Sequence, residues 1–219
     1  MRVTEALSRC SDWAAELTIH RSAKRYSREL NTPEHFVEML LLIEDKRFSY
    51  HCGVDPFAIL RAAIFNMRGQ VLQGASTIAQ QLYNVRVHKQ SMSRNQRTLG
   101  LKVRQSIWAL YRSSRDSKST LLREYVDRVY WGQSLYGLDE AARGYFNIDR
   151  VELSPAQSFF LAERIAMPNR CSVRRIINLV QRPAIRNILS RYGATVKEVE
   201  TLYVRIYGSG GEMWQLLER

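Results

Sequence analysis

An apolar helical run that stops on two adjacent carboxylates constrains this chain more than any other feature. Phe36, Met39, Leu40 and Ile43 recur at the spacing of one buried helix face, and the run ends at Glu44-Asp45. Phe48, His51, Gly53 and Asp55 follow at once, and a polar block from Gln73 to Gln81 comes about twenty residues later. A bare Glu-Asp pair more often ends a helix in water. The offsets of the aromatic, the histidine and the glycine do not suit a solvated turn. A carboxylate at a helix end beside apolar side chains has its pKa raised by desolvation, which suits a general base near neutral pH. Glu44 fits that description. Asp45 is placed to orient a neighbour or to accept a backbone amide. In the second block Thr77 and Gln80 make a capping box, and unpaired amides at a helix start favour oxyanions.

Helical signals dominate the rest. Thr32 is expected to cap a helix with Pro33 in its first position. Asp55-Pro56 opens a second helix with a stripe of Ile59, Leu60, Ala63, Ile64 and Met67. Core packing and a surface dipping into a lipid interface both fit that stripe, and Arg61 and Arg68 flank it. The Thr77 helix runs to about Val85. Residues 86–97 read as a basic loop. A long helix spans about Gln96 to Ser113 with Leu99, Val103, Ile107 and Leu110 on one side, and another covers about Thr120 to Tyr130. Ser154 and Gln157 make a second capping box before the apolar stretch Phe159 to Ile165. Arg182 to Tyr192 and Val196 to Tyr207 close the chain, and Gly208 to Gly211 forms a joint before the tail. Period-2 alternation is almost absent, so the class is all-α. The expected organisation is a helical or flexible extension at 1–31, a domain at 32–207 and a tail at 208–219.

With 219 residues the chain can bury one sizeable core or two small lobes. Its net charge of +12 attracts polyanions, whether nucleic acid, anionic lipid or pyrophosphate. Basic residues are spread along the chain and no nucleic-acid motif occurs, so nucleic acid is not an expected partner. Three cysteines without CxxC spacing, and His51 beside Cys52, do not form a metal-ligand pattern. No window approaches the length of an apolar membrane span, and charges at Arg2, Glu5, Arg9 and Asp12 break any leader-like stretch.

Glu44 to Asp55 resembles the first motif of the family 51 glycosyltransferases, with each signature residue present and Arg61 where that family places an arginine. Gln73 to Leu82 resembles the second, with Ala75 for a glycine and Ala79 for a threonine. Leu121 to Gly132 resembles the fourth. Tyr145-Phe146, Leu153 to Ala162 and Arg186 to Leu189 follow the fifth, so the likeness covers about residues 34 to 192. The resemblance implies a lysozyme-like helical fold with a larger head lobe and a smaller jaw at about 56–72 that touches the membrane. It implies polymerisation of lipid II: the 4-hydroxyl of an acceptor sugar attacks the anomeric carbon of a lipid-linked donor, with inversion, and undecaprenyl pyrophosphate leaves. By the same likeness Glu44 is the general base. Asp45, Phe48, His51, Gly74, Ser76, Thr77, Gln80, Gln81 and Lys102 form the substrate site. The implied partners are lipid II, the nascent glycan strand and proteins of cell-wall synthesis. The implied place is the outer or periplasmic face of a bacterial membrane. No tightly bound cofactor is implied beyond a Mg or Mn ion accompanying the pyrophosphate. No transpeptidase-type Ser-x-x-Lys domain fits after residue 192, so a monofunctional enzyme is expected.

The third motif departs. The family's Arg-Lys-x-x-Glu stands here as Leu101-Lys102-Val103-Arg104-Gln105, so the second catalytic position is Gln105. A lysine after the paired glutamines is Asn84, and a fourth-motif glutamate is Arg123 beside Glu124. A well-made charged contact is worth roughly 1.5–3 kcal/mol, and a glutamine carries no proton. Arg94, Arg97 and Arg104 are candidates for replacing the lost charge, Arg97 being the best placed. A divergent transferase and a non-catalytic relative that binds glycan, lipid-linked precursor or a cell-wall partner therefore both stay open.

Overall fold

The computed structural model describes residues 3–67, 76–88 and 98–208. The helices in chain order are α1 (Val3–Leu30), α2 (Glu34–Glu44), α3 (Pro56–Met67), α4 (Ile78–His88), α5 (Leu99–Arg115), α6 (Lys118–Val126), α7 (Leu138–Phe146), α8 (Pro155–Arg164), α9 (Val173–Val180), α10 (Pro183–Arg191) and α11 (Val196–Tyr207). A two-stranded antiparallel hairpin, β1 (Tyr130–Gly132) and β2 (Leu135–Tyr136), sits between α6 and α7. Apart from that hairpin the architecture is helical, consistent with the expected all-α, lysozyme-like class.

Helix α2 runs through the centre of the core. Phe36, Met39 and Leu40 are fully buried, and Ile43 packs at the margin. Two neighbours cover it: α8, with Phe159, Phe160 and Leu161, and the second half of α1, with Ile19, Ala23, Tyr26 and Leu30. Burial of such side chains contributes about 1.5–3 kcal/mol each. The C-terminal half of α1 thus shares one core with residues after position 31.

Two expected starts differ. Thr32 does not cap α2. Asn31 adopts a left-handed conformation (φ 52°) and the Thr32 amide bonds Ser27 O at 3.0 Å, closing α1. Pro33 takes the cap position of α2 without a side-chain bond. The long helix begins at Leu99, capped by Thr98, whose side chain accepts from the Leu101 amide. Its apolar stripe faces outward. Leu99 is 83% exposed, and Val103, Ile107 and Leu110 are exposed too, because α5 packs on α4 through Gln105 and Ala109 instead. On α3, Phe57, Ile59 and Leu60 are also exposed, so core packing does not hold for Ile59 and Leu60. Both capping boxes form: Thr77 with Gln80, and Ser154 with Gln157.

Candidate active site

The site gathers where α2 ends, α4 begins and α5, α6 and α8 pass. Glu44 is the last residue of α2 and half-buried. Its Oε2 accepts from Gln81 Nε2 at 2.8 Å, and Gln81 Oε1 accepts from Tyr125 OH at 2.7 Å. Burial raises the Glu44 carboxyl above its ordinary value; the Gln81 bond and Arg175 oppose that rise, while Asp45 and Glu163 add to it. Tyr125 is fully buried and its phenol is pushed well up, by burial first and then by the charges of Glu44 and Asp45. It therefore stays a donor and fixes which way the Gln81 amide points.

Asp45 works inward. One oxygen meets His51 Nε2 at 2.9 Å, and the other accepts the Ile78 amide at 3.0 Å. The carboxylate thus sits on the N-terminus of α4, where the dipole and unpaired amides favour an anion. His51 Nδ1 accepts from the Gly53 amide at 3.2 Å, so Nε2 carries the proton given to Asp45. Thr77 Oγ1 donates to Gly53 O. Gly53 (φ +95°) lies against Ala109 O of α5, which a Cβ would overlap. The loop 45–55 is thereby tied to α4 and α5.

Phe48, His51, Thr77 and Gln80 are all buried, and their described contacts are with the protein. Phe48 packs edge-on against Tyr26 and His51. Gln80 spends its carbonyl on the Thr77 amide and its amide on Ser106 of α5 at 2.8 Å. Successive helical residues point about 100° apart, which lets Gln80 face α5 while Gln81 faces Glu44. Ser76 and Lys102 meet at 2.6 Å. Gln105 is 3% exposed and donates to Asn84 Oδ1 at 2.7 Å. Gly74, Arg94 and Arg97 lie outside the described residues. Glu124 binds Arg86 and Arg112. Burial works against its charge, but those two arginines outweigh it and hold the carboxyl low.

Sequence reasoning missed Lys118. It is the first residue of α6, the wrong helix end for a cation. Its ammonium donates to His51 O and lies 4.5 Å from the centre of the Phe48 ring. Burial lowers its pKa while Asp45 resists. The misplaced charge was the available signal, since local rules break most often at functional sites. Glu163 and Arg175 were missed too, because charged residues in an amphipathic segment read as surface.

The donor set does not suit a metal held by protein. Asp45 has both oxygens engaged and Gln105 is an amide. Among the described residues no group of three acidic, histidine or cysteine side chains converges.

A family model described as Transglycosylase matches residues 13–191. The chain belongs to the transglycosylase family. This family 51 domain is 37% identical over 131 residues to penicillin-binding protein 1A of Aquifex aeolicus, covering 59% of the chain and 17% of that protein. It is 34% identical over 157 residues to penicillin-binding protein 1A of Streptococcus oralis, covering 71% and 24%. It is 32% identical over 195 residues to penicillin-binding protein 1B of Haemophilus influenzae, covering 86% and 23%. The transglycosylase chain thus spans a quarter or less of these bacterial relatives.

Proposed function

We propose that this chain polymerises lipid II by inverting glycosyl transfer. The observation that carries the reading is Glu44: a half-buried carboxylate at a helix end, raised in proton affinity and oriented by the Tyr125–Gln81 chain. Glu44 takes the proton from the acceptor 4-hydroxyl as that oxygen attacks the anomeric carbon. Undecaprenyl pyrophosphate leaves as a stable anion, so its departure needs donors and cations more than an acid. Lys102, beside Ser76, serves that side. Asp45, His51 and Lys118 hold the 45–55 loop in register. A Mg or Mn ion taking part would arrive on the pyrophosphate. The exposed faces of α3 and α5 support peripheral contact with a membrane, where lipid II resides.

The second reading, a non-catalytic binder of glycan or lipid-linked precursor, is favoured by Gln105, whose amide is already given to Asn84. Polymerisation of labelled lipid II by wild type, Glu44→Gln and Gln105→Glu separates the two. Glycan from wild type that vanishes in Glu44→Gln supports the transferase. Silence from all three with lipid II still bound supports the binder.

A further inference from the structure

Helix α1 meets the 45–55 loop at two places. Tyr26 lays its ring edge-on against Phe48, with centroids 5.9 Å apart, and Thr18 Oγ1 hydrogen-bonds Tyr50 OH. Positions 18 and 26 lie about two turns apart on one stripe of the helix. The far end of α1 is fixed separately: Arg123 of α6 donates to Glu29 O, and Arg150 donates to Leu30 O at 3.3 Å. From Phe48 the contacts run on to the site. Its ring meets His51 edge-on at 6.3 Å, and the Lys118 ammonium lies over it. His51 holds Asp45, and Asp45 accepts the Ile78 amide at the start of α4. Glu44 directly precedes Asp45, and Gln81, about one turn beyond Ile78, is the residue that orients Glu44.

We propose that α1 is a brace for the base: Tyr26 and Thr18 are positioning residues that hold the 45–55 loop in the register keeping Glu44 opposite Gln81. The inference rests on the reading of Glu44 as the base. Both residues act through the loop, by way of Phe48 and Tyr50, rather than on the substrate. A shift of Phe48 reaches Asp45 through His51, and Asp45 ties residue 44 to the first turn of α4. Both partners of the Glu44–Gln81 bond therefore depend on where the loop sits.

The two contacts differ in kind, which separates positioning from packing. Tyr26 and Phe48 are buried, so loss of the ring lowers stability whatever else it does. The Thr18–Tyr50 bond is at the surface, with Tyr50 55% exposed. Tyr26→Leu removes the ring edge and lowers kcat roughly ten- to a hundredfold, the scale of an ångström-sized misplacement. Tyr26→Phe keeps the ring and turns over like wild type. Thr18→Val and Tyr50→Phe remove the same bond from opposite ends. Each lowers kcat roughly two- to tenfold with KM and Tm held, and the double variant is no slower than either single one.

The test joins lipid II polymerisation kinetics, taken well below Tm, to amide NMR spectra of the full chain. The Gly53 and Ile78 amides report the bonds to His51 and Asp45. Lower kcat at constant KM in the surface variants, with both amides displaced, supports the brace. Wild-type kcat in Thr18→Val and Tyr50→Phe overturns it, whether or not the amides move, and so do losses that add in the double variant. A Tyr26→Leu chain that fails to fold leaves the surface variants to decide. The spectra keep the two ideas apart. Displaced amides in a chain whose wild type makes no glycan leave the brace standing and remove the transferase. Polymerisation by every variant at the wild-type rate does the reverse.

Discussion

Gln105 on α5 gives its side-chain amide to Asn84 Oδ1 on α4 at 2.7 Å. These are the two places where the family resemblance leads one to expect a glutamate and a lysine. Two departures that looked independent along the chain meet in one hydrogen bond. At this contact the seam between α4 and α5 is satisfied by two neutral amides. Gln105 is buried and its amide is satisfied, so α4 and α5 are closely packed at this point.

The pair should therefore respond as a unit. Gln105→Glu alone places a carboxylate in a nearly closed site against the Asn84 amide, and Asn84→Lys alone places an ammonium against the Gln105 amide. Each is expected to cost about 1–3 kcal/mol, a fall of several degrees in Tm for a chain of this size. Asn84→Lys with Gln105→Glu should recover most of that loss. Thermal melts of the four proteins check it; additive losses would show that the contact is not a coupled pair.

Glu44→Gln should abolish polymerisation, lowering the rate by roughly 10²–10⁴-fold, the usual contribution of a general base. The variant should nevertheless be at least as stable as wild type at neutral pH. Burial raises the folded-state proton affinity of Glu44. Its contribution to stability is therefore full below the unfolded carboxylate value and is lost as pH rises through the folded one. A glutamine keeps the Gln81 bond and never ionises. The stability difference between the two proteins should vanish in acid, as paired denaturant curves would show.

Legibility followed the physics of each element. Helix α11 was readable from Val196 to Tyr207 because Thr195 caps it and a strong apolar face repeats through it. Both capping boxes were readable because their spacing is local. Helix α5 was readable as a helix, but its buried face was not: period places residues on a side, and only tertiary packing decides that Gln105 and Ala109 face inward. Helix α1 carries Ile19, Ala23, Tyr26 and Leu30 among many charges, so its core stripe was diluted. The hairpin is too short for alternation to register. At the site, Glu44 and Asp45 stood out by sequence, whereas Lys118, Glu163 and Arg175 depend on contacts between segments far apart in the chain.

The outward stripes of α3 and α5 make a membrane prediction. Phe57 (62% exposed) and Leu60 (60%) lie on α3, and Ile107 and Leu110 on α5. Ile107→Glu and Leu60→Glu should each weaken the affinity for anionic vesicles by about tenfold or more in a sedimentation assay, since burial of such a side chain in lipid is worth about 1.5–3 kcal/mol. Tm should barely move, because neither side chain belongs to the core. A fall in Tm without a change in sedimentation would assign these stripes to packing.

His35 makes a prediction for acid stability. It is buried against Ser158 and Tyr192, and desolvation lowers its pKa to about 4, with Glu38 only partly opposing. The unfolded chain binds a proton near the ordinary histidine value, and the folded chain resists it. Stability from this group is therefore present above about pH 6.5 and is lost as pH falls towards 4. The full loss is about 3 kcal/mol. His35→Gln retains a partner for Ser158 and should flatten the slope of unfolding free energy over that window.

Gly53→Ala tests how tightly the 45–55 loop is tied down. Gly53 sits at φ +95°, where a side chain is strained, and a Cβ would overlap Ala109 O and come within 2.7 Å of Ser113 Oγ. Backbone, unlike a flexible side chain, cannot swing aside. Relief requires the 45–55 loop to move off α5, and that loop carries the Gly53 amide to His51 and the Gly53 carbonyl to Thr77. Strain of this kind costs of order 1–3 kcal/mol, and the overlap adds to it. The expected result is a Tm lowered by several degrees together with a loss of turnover larger than the stability change explains, because displacement of His51 frees Asp45 and, next to it, Glu44. Activity measured well below the lowered Tm separates the two effects. A variant that melts early yet turns over normally at low temperature would show that the loop's register does not matter to the chemistry.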